Sequence, residues 1–154
     1  MSKPALTETR MELKVICIGK TKESYLQQGI HKYLERISYY IPIQLFELKP
    51  EKNQKLAEKT RKLIQGYTIL LDVFGQELSS EEFATLIQEK INQGCPEIDF
   101  LIGGYSGLPT LPEELIDLRI SLSRCTFTHQ LIRLLLLEQV YRSFTIMKGH
   151  PYHK

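Results

Sequence analysis

Residues 98–107 read IDFLIGGYSG, a short apolar run followed directly by a glycine cluster. Its first five residues, IDFLI, form the kind of short apolar run that predicts a buried strand. The glycine cluster Gly103–Gly107 follows without a spacer. Ligands of open α/β sheets sit at the carboxyl ends of strands, so a strand that runs straight into glycines marks a candidate binding edge.

The chain on either side of this stretch alternates between strand and helix patterns. Short apolar runs separated by amphipathic helices favour a mainly parallel sheet with helices on both faces. We therefore predict one α/β domain over residues 11–154, and interpret residues 1–10 as a disordered arm or an expression remnant. Strands are predicted at 13–19, 43–48, 67–73, 98–102 and 118–122, and helices at about 23–40, 53–65, from Ser79 or Ser80 onward, 112–117 and about 128–147.

The composition excludes several classes of protein. Hydrophobic residues make up 42% and charged residues 25% of the chain, which is typical of a globular domain. The longest apolar run, Leu134–Leu137, is far shorter than the roughly 20 residues of a membrane span. We see no signal-peptide pattern in the first ten residues. The three cysteines form no CxxC pair, which argues against a disulfide framework or a metal site and favours a reducing cytoplasm.

Charge is unevenly distributed along the chain. Residues 77–117 carry nine acidic side chains and one basic side chain, whereas residues 119–154 carry six basic side chains and one acidic one. This asymmetry predicts a basic end that can contact phosphates, although a chance surface fluctuation remains the alternative.

Two loops at predicted strand ends are candidates for ligand binding. The first is the glycine cluster, for which a tight structural turn is the alternative. Its G-G-x-x-G spacing differs from G-x-G-x-x-G, and strand 118–122 lacks the acidic residue that binds ribose, which disfavours a dinucleotide-dependent oxidoreductase. The second is Ser121–Thr128 (SLSRCTFT), for which helix capping by Thr126 or Thr128 is the alternative.

The last helix and the tail after it contain the remaining unusual residues. The helix is apolar around most of its circumference, which predicts contact with the sheet on one face and with a partner subunit on another. Glu138 and Arg142 form an i, i+4 pair in the favourable order, whereas Arg133 lies unexplained among leucines. His129 stands at the helix start, where the helix dipole disfavours its protonation. The tail Lys148–Lys154 (KGHPYHK) can titrate near pH 7 and stack on a base, with a tag remnant as the alternative.

Taken together, these segments resemble the ribosomal RNA large-subunit methyltransferase H family, whose members are minimal SPOUT proteins. The resemblance extends over nearly the whole chain after Met11. It is carried by LKVICIGK at 13–20, LDVFG at 71–75, LIGGYSG at 101–107, SLSRCTFTHQLIR at 121–133, EQVYR at 138–142 and HPYHK at 150–154.

The resemblance implies a SPOUT fold, a homodimer, and a carboxy-terminal trefoil knot made by threading the last helix through a loop. It also implies S-adenosylmethionine as the cofactor, bound by the backbone of the loops at the strand ends, and no metal. The implied cofactor-binding residues are Leu71, Gly103, Gly104, Ser123, Arg124, Cys125, Thr126, Phe127 and Thr128.

The substrate implied by the resemblance is a pseudouridine in helix 69 of 23S ribosomal RNA, methylated at ring nitrogen 3 in the 70S ribosome or the 50S subunit. Arg142 is then the candidate for orienting the base or stabilising its negative charge. Tyr152, His153 and His129 are candidates for substrate contact or proton removal, and the general base stays open among them. The alternative function is a non-catalytic ribosome- or RNA-binding module that retains the fold.

Overall fold

The computed structural model describes residues 11–154, so the interpretation of residues 1–10 lies outside the described residues. Five strands and four α-helices alternate along this part of the chain, with one short 3-10 helix at Glu113–Leu115. The strands are β1 (Glu12–Ile18), β2 (Ile43–Leu48), β3 (Tyr67–Glu77), β4 (Glu97–Ile102) and β5 (Leu118–Ser121). The helices are α1 (Ser24–Ser38), α2 (Asn53–Leu63), α3 (Ser80–Asn92) and α4 (Leu131–Met147).

The five strands form one sheet in the order β2-β1-β4-β3-β5, and every pair of neighbours is parallel. The predicted α/β class is therefore confirmed. All strands end at the same edge of the sheet, and β4 lies in its middle. The loop that follows β4 is the glycine cluster, which consequently occupies the centre of the carboxyl edge.

Helices cover both faces of the sheet, as predicted. Alternate side chains of β4 face opposite ways, so Ile98 and Phe100 join the main hydrophobic core while Leu101 faces the other side. The main core packs the sheet against α1, α3 and α4. The smaller core on the opposite face is closed by the end of α2 and by residues 108–116.

The predicted start of α3 is confirmed by a complete capping box. The Ser79 hydroxyl accepts a hydrogen bond from the backbone N–H of Glu82 at 3.0 Å. The Glu82 carboxylate in turn accepts from the Ser79 N–H at 2.8 Å. Two backbone donors at the helix start are thereby satisfied within a single turn.

β3 extends to Glu77, beyond the predicted end at Val73. The strand stops pairing with β5 after Leu71 and pairs with it again from Gln76. Leu71 and Gln76 both pair with Ile120, so residues 72–75 bulge out between them. Phe74 at the tip is 93% exposed. A Cβ on Gly75 would lie 2.7 Å from the Arg119 backbone carbon, and only glycine therefore lets the chain rejoin β5.

The last helix begins at Leu131, three residues after the predicted start at Thr128. The Thr128 hydroxyl accepts a hydrogen bond from the Leu131 N–H at 3.1 Å, and its carbonyl accepts from Ile132. Thr128 therefore caps the helix from outside, which confirms the capping interpretation for that residue.

A buried charged cluster lies on the α2 side of the sheet, near the strand starts. The Lys14 ammonium is 3.1 Å from the Glu97 carboxylate and donates to the Leu63 carbonyl at 2.8 Å. Asp99 lies two residues further along β4; its Oδ2 accepts from the Gly66 N–H at 2.8 Å, whereas its buried Oδ1 has no hydrogen-bond partner among the described residues. Burial and the neighbouring Asp99 raise the pKa of Glu97 from 4.5 to about 7.

All three cysteines lie in the described part of the chain, and none of them is paired there. Among residues 11–154, no helix is long and apolar enough to cross a membrane. The same residues contain no group of three or more histidine, cysteine or acidic side chains placed to hold a metal ion.

Candidate active site

A cavity of about 330 Å³, here called the first cavity, opens at the carboxyl edge of the sheet. The ends of β3, β4 and β5 form its floor, and the segment between β5 and α4 forms its wall. Small-molecule sites in α/β sheets occupy this position and this range of sizes. Seven of the nine implied cofactor-binding residues line it, namely Leu71, Gly103, Gly104, Ser123, Cys125, Thr126 and Phe127.

The other two implied cofactor-binding residues have different surroundings. Arg124 is largely exposed, and its Nε lies 3.7 Å from the Glu77 carboxylate. Thr128 caps α4. Neither side chain lines the first cavity.

The glycine cluster is a tight turn that also forms part of the cavity wall. Gly104 and Gly107 exchange backbone hydrogen bonds of 3.1 and 2.9 Å, so these two N–H groups are occupied by each other. Gly107 has a φ of +81°, which favours glycine. A Cβ on Gly104 would lie 3.0 Å from the Ile18 carbonyl oxygen, so the turn packs directly on β1. The tight-turn alternative is therefore confirmed, and the turn also borders the first cavity.

Several cavity residues were not singled out from the sequence. Asp72 reaches the wall because β3 bulges immediately after Leu71. Its carboxylate accepts from the Phe74 N–H at 2.9 Å and lies 3.5 Å from Arg119. Tyr105, in the glycine turn, is 95% exposed at the cavity rim. Their positions at strand ends were one signal, and Gly75 within the strand pattern was a second, because a glycine inside a strand often marks a bulge.

His129 lies at the first cavity, between the cavity wall and α4. Burial lowers the pKa of its imidazole, and the positive charges of Arg133 and Lys22 lower it further. The sequence predicted a disfavoured proton, but attributed it to the helix dipole. In the structure the lowering comes from burial and from two neighbouring cations.

Arg133, in the first turn of α4, is completely buried. Its guanidinium donates to the Ile18 carbonyl at 2.8 Å, to the Thr21 hydroxyl at 2.9 Å and to the Glu47 carboxylate at 3.0 Å. The arginine therefore ties α4 to the segment after β1 and to the end of β2. These hydrogen bonds explain why an arginine occurs among the leucines of α4.

The remaining three catalytic candidates form a separate cluster on α4 and the tail. Arg142 donates to the Glu138 carboxylate at 2.9 Å, which confirms the predicted i, i+4 pair. Its Nη1 lies 2.9 Å from His153 Nδ1. The Tyr152 hydroxyl donates to Glu138 at 3.2 Å. Glu138 thus connects Arg142 and Tyr152, and none of these residues lines the first cavity.

The contacts of this cluster assign its hydrogen-bond donors and acceptors. A guanidinium can only donate, so His153 Nδ1 accepts from Arg142, and its Nε2–H donates to Glu81 at 2.8 Å. Burial and hydrogen bonds with Tyr33 and Glu138 raise the pKa of Tyr152. The hydrogen bond with Glu138 raises the pKa of Arg142. Glu81 and Tyr33, both distant in sequence, were not predicted as members of this cluster.

The arginines of the basic end are mostly engaged within the chain. Arg119 pairs with Glu113 at 2.8 Å, and Arg142 pairs with Glu138. Arg133 is buried. Of the predicted basic end, Arg133 is therefore enclosed, and Arg119 and Arg142 each pair with a carboxylate.

Comparison with known proteins identifies the family. Residues 11–153 match a family described as "Predicted SPOUT methyltransferase". The chain belongs to the SPOUT methyltransferase family.

Relatives within this family resemble the chain over almost its full length. A protein of Carboxydothermus hydrogenoformans is 41% identical over 94% of this chain and 100% of its own length. A protein of Caldicellulosiruptor saccharolyticus is 42% identical over 92% of this chain and 99% of its own. A protein of Streptococcus uberis is 40% identical over 94% of this chain and 100% of its own length. All three carry the name ribosomal RNA large subunit methyltransferase H.

Proposed function

We propose that this SPOUT protein transfers a methyl group from S-adenosylmethionine to N3 of a pseudouridine in helix 69 of 23S ribosomal RNA, within the assembled ribosome or its large subunit. The observation that carries this proposal is the first cavity, around which three separate loops converge at the carboxyl edge. The relatives named above support ribosomal RNA as the substrate class.

The residues around the first cavity fit the proposed cofactor. Leu71 and Phe127 supply apolar surface for an adenine ring, and the hydroxyl groups of Ser123 and Thr126 supply polar contacts. When bound, S-adenosylmethionine supplies an electrophilic methyl group on a sulfonium. The chain's own task is to hold the acceptor nitrogen in line with that group.

His129 is the best-placed residue to remove the N3 proton. It lies at the first cavity, and its lowered pKa keeps the imidazole neutral and able to accept a proton near pH 7. His153 is less suited in this arrangement, because its Nδ1 lone pair already accepts from Arg142. Tyr152 donates its proton to Glu138 and has a raised pKa, which makes it a poor base near neutrality.

Arg142 and the tail are proposed to act on the partner subunit of a homodimer. In this chain they lie together on α4 and away from the first cavity. A second copy that presents its Arg142 cluster to this cavity would bring a guanidinium, kept protonated by Glu138, to the anion formed when N3 loses its proton. The site would then combine a cofactor pocket from one subunit with a tail from the other.

The test is mass spectrometry of helix 69 from ribosomes incubated with the protein and cofactor. We expect one additional methyl group on a pseudouridine, and none with a variant that lacks His150–Lys154. Calorimetry should show that both proteins bind S-adenosylmethionine. Absence of both cofactor binding and methyl transfer in the full-length protein would overturn the proposal.

Arg142→Ala separates catalysis from mere binding. We expect it to abolish methylation while ribosome binding persists. If the full-length protein binds ribosomes but methylates nothing, the chain is a binding module that retains the fold.

Two further features belong to the same proposal. We expect α4 to pass through a loop of the chain and form a trefoil knot, a rare exception to unthreaded connections. The Gln130 side chain, which bonds to the backbone of Lys20 at 3.1 Å and of Lys22 at 2.8 Å, supports close packing of the final segment on the first loop. Because the proposed substrate is the ribosome, we place the protein in the cytoplasm.

A further inference from the structure

A second cavity of about 930 Å³ lies beside the first at the same edge of the sheet. It extends over the ends of β1 and β2 to the start of α2. Tyr105 and His129 line both cavities and form the boundary between them. A ligand in the larger cavity can therefore reach the site of methyl transfer without crossing the protein.

Three lysines line this second cavity: Lys20 and Lys22 after β1, and Lys49 after β2. All three are exposed. Within residues 11–154, none of the three forms an ion pair with a carboxylate, in contrast to the arginines of the carboxy-terminal third. Their charges are thus available to a ligand.

The acidic residues of the second cavity do not cancel these charges. Glu47 is held by Arg133 at 3.0 Å. Glu51 is held by Lys59 at 2.6 Å and by Lys55 at 3.4 Å. Each carboxylate is matched by a cation from its own surroundings, so the cavity presents a net positive lining, which attracts phosphates.

The rim shared by the two cavities carries an aromatic ring that nothing covers within the described chain. Tyr105 is 95% exposed on a turn that is fixed by the Gly104–Gly107 backbone bridge. Proteins bind single-stranded RNA with this combination of an exposed ring and unpaired cations, because bases stack on the ring while lysines contact the phosphates.

We propose that this lysine cleft, defined by Lys20, Lys22, Lys49 and Tyr105, binds the unpaired RNA strand on one side of the target nucleotide. The lysines contact successive phosphates, and a neighbouring base stacks on Tyr105. The target base then passes His129 into the first cavity. This inference rests on the proposed function and adds the surface that receives the RNA.

The test compares two triple variants that remove the same charge. The cleft variant is Lys20→Gln, Lys22→Gln and Lys49→Gln. The control is Lys32→Gln, Arg61→Gln and Lys62→Gln, whose side chains are exposed on α1 and α2 and do not line the cleft. Binding to a helix 69 RNA hairpin and to 50S subunits is measured without cofactor over a series of KCl concentrations.

For the cleft variant we expect the slope of log Kd against log[KCl] to fall by about 2, because each lost single-strand phosphate contact removes roughly 0.7. The control variant should keep the wild-type slope. Calorimetry with S-adenosylmethionine checks that each protein is folded. Equal slopes in the two triple variants would overturn the proposal.

The wild-type result separates this proposal from the proposed function. If the wild type methylates ribosomes but the cleft variant binds RNA as tightly as the control, the lysine cleft alone is rejected. If the wild type neither binds RNA nor transfers methyl groups, both proposals fail.

Stacking is tested by Tyr105→Ala and Tyr105→Phe. We expect the alanine variant to bind the hairpin about tenfold more weakly and the phenylalanine variant to bind like wild type, because stacking needs the ring and not the hydroxyl. Equal binding by all three proteins would remove Tyr105 from the cleft.

Discussion

Arg133 is a single side chain that connects three parts of the carboxyl edge. It has no exposed surface, and its partners come from β1, the loop after β1 and the end of β2. Because α4 supplies the arginine, this contact sets the distance between α4 and the sheet beside both cavities.

Removing the buried arginine should destabilise the fold strongly. Arg133→Gln removes the guanidinium from the Ile18 carbonyl and from Glu47, which keeps only the N–H and hydroxyl of Thr21 as donors. We expect a loss of about 3 kcal/mol in unfolding free energy. Arg119→Gln, which removes a partly exposed ion pair, should cost much less. Urea unfolding of both variants measures the difference, and equal losses would contradict this role for Arg133.

Glu97 should make stability depend on pH in the unusual direction. Its pKa rises from 4.5 to about 7 on folding, so the folded state binds its proton more tightly than the unfolded state. The resulting stabilisation is present below pH 4.5 and is lost as the pH rises through 7. We expect Glu97→Gln to reduce the loss of unfolding free energy between pH 5 and pH 8 by about 2 kcal/mol.

A matched control separates Glu97 from the other titrating groups. Glu89→Gln removes an exposed glutamate on α3 and should leave the pH dependence of urea unfolding at its wild-type value. If Glu97→Gln behaves in the same way, the proton does not reside at the Glu97–Asp99 pair.

At the scale of elements, α3 shows how a local pattern fixes a boundary. We expect Ser79→Ala to lower the free energy of unfolding by about 1 kcal/mol, because it removes one half of the capping box. Thr85→Ala, at an exposed position inside the same helix, should be neutral or slightly stabilising, since alanine favours helix. Thermal unfolding compares the two; an equal effect of both would show that the cap contributes nothing.

The sequence predicted the elements well where one local rule acts alone. Ser79 has both the residue type and the following Glu82 that a helix start requires. The bulge of β3 depends instead on the close approach of Gly75 to Arg119, a contact between strands that no local pattern records. α4 begins three residues later than predicted because Thr128 caps the helix from outside. Its hydroxyl accepts a hydrogen bond from the first helical N–H, and Thr128 itself is not part of the helix.

The sequence predicted the part of the site that follows from strand order, and it missed the parts that depend on contacts between distant segments. The two loops at strand ends could be brought together from the parallel sheet alone, and they do meet at the first cavity. The separation of His129 from the Arg142 cluster was not visible, because it depends on where the tail folds. The lysine cleft was missed since Lys22 and Lys49 lie far apart in sequence and become neighbours only through the pairing of β1 with β2.

At the scale of the whole molecule, the proposed homodimer predicts complementation between two inactive chains. One is Thr126→Trp, which fills the first cavity, and the other lacks His150–Lys154. A mixed dimer purified through two different tags has one intact pocket facing one intact tail, and we expect about half of the wild-type methylation rate. Ribosome methylation assays measure it.

The two parent homodimers are the controls and should both be inactive. A mixed dimer as inactive as its parents would show that pocket and tail act within one chain. This outcome would leave the cofactor pocket in place but remove the need for a second subunit.

The three cysteines differ so much in environment that the molecule has a built-in chemical reporter. Cys17 is buried, and burial raises the pKa of its thiol to about 12; Cys95 is half-buried, with its thiol 3.3 Å from the Glu97 carbonyl. Cys125 alone is exposed, and it lines the first cavity. A small alkylating reagent should therefore label Cys125 first, and S-adenosylmethionine should slow that labelling, so that mass spectrometry can follow occupancy of the pocket without ribosomes or turnover.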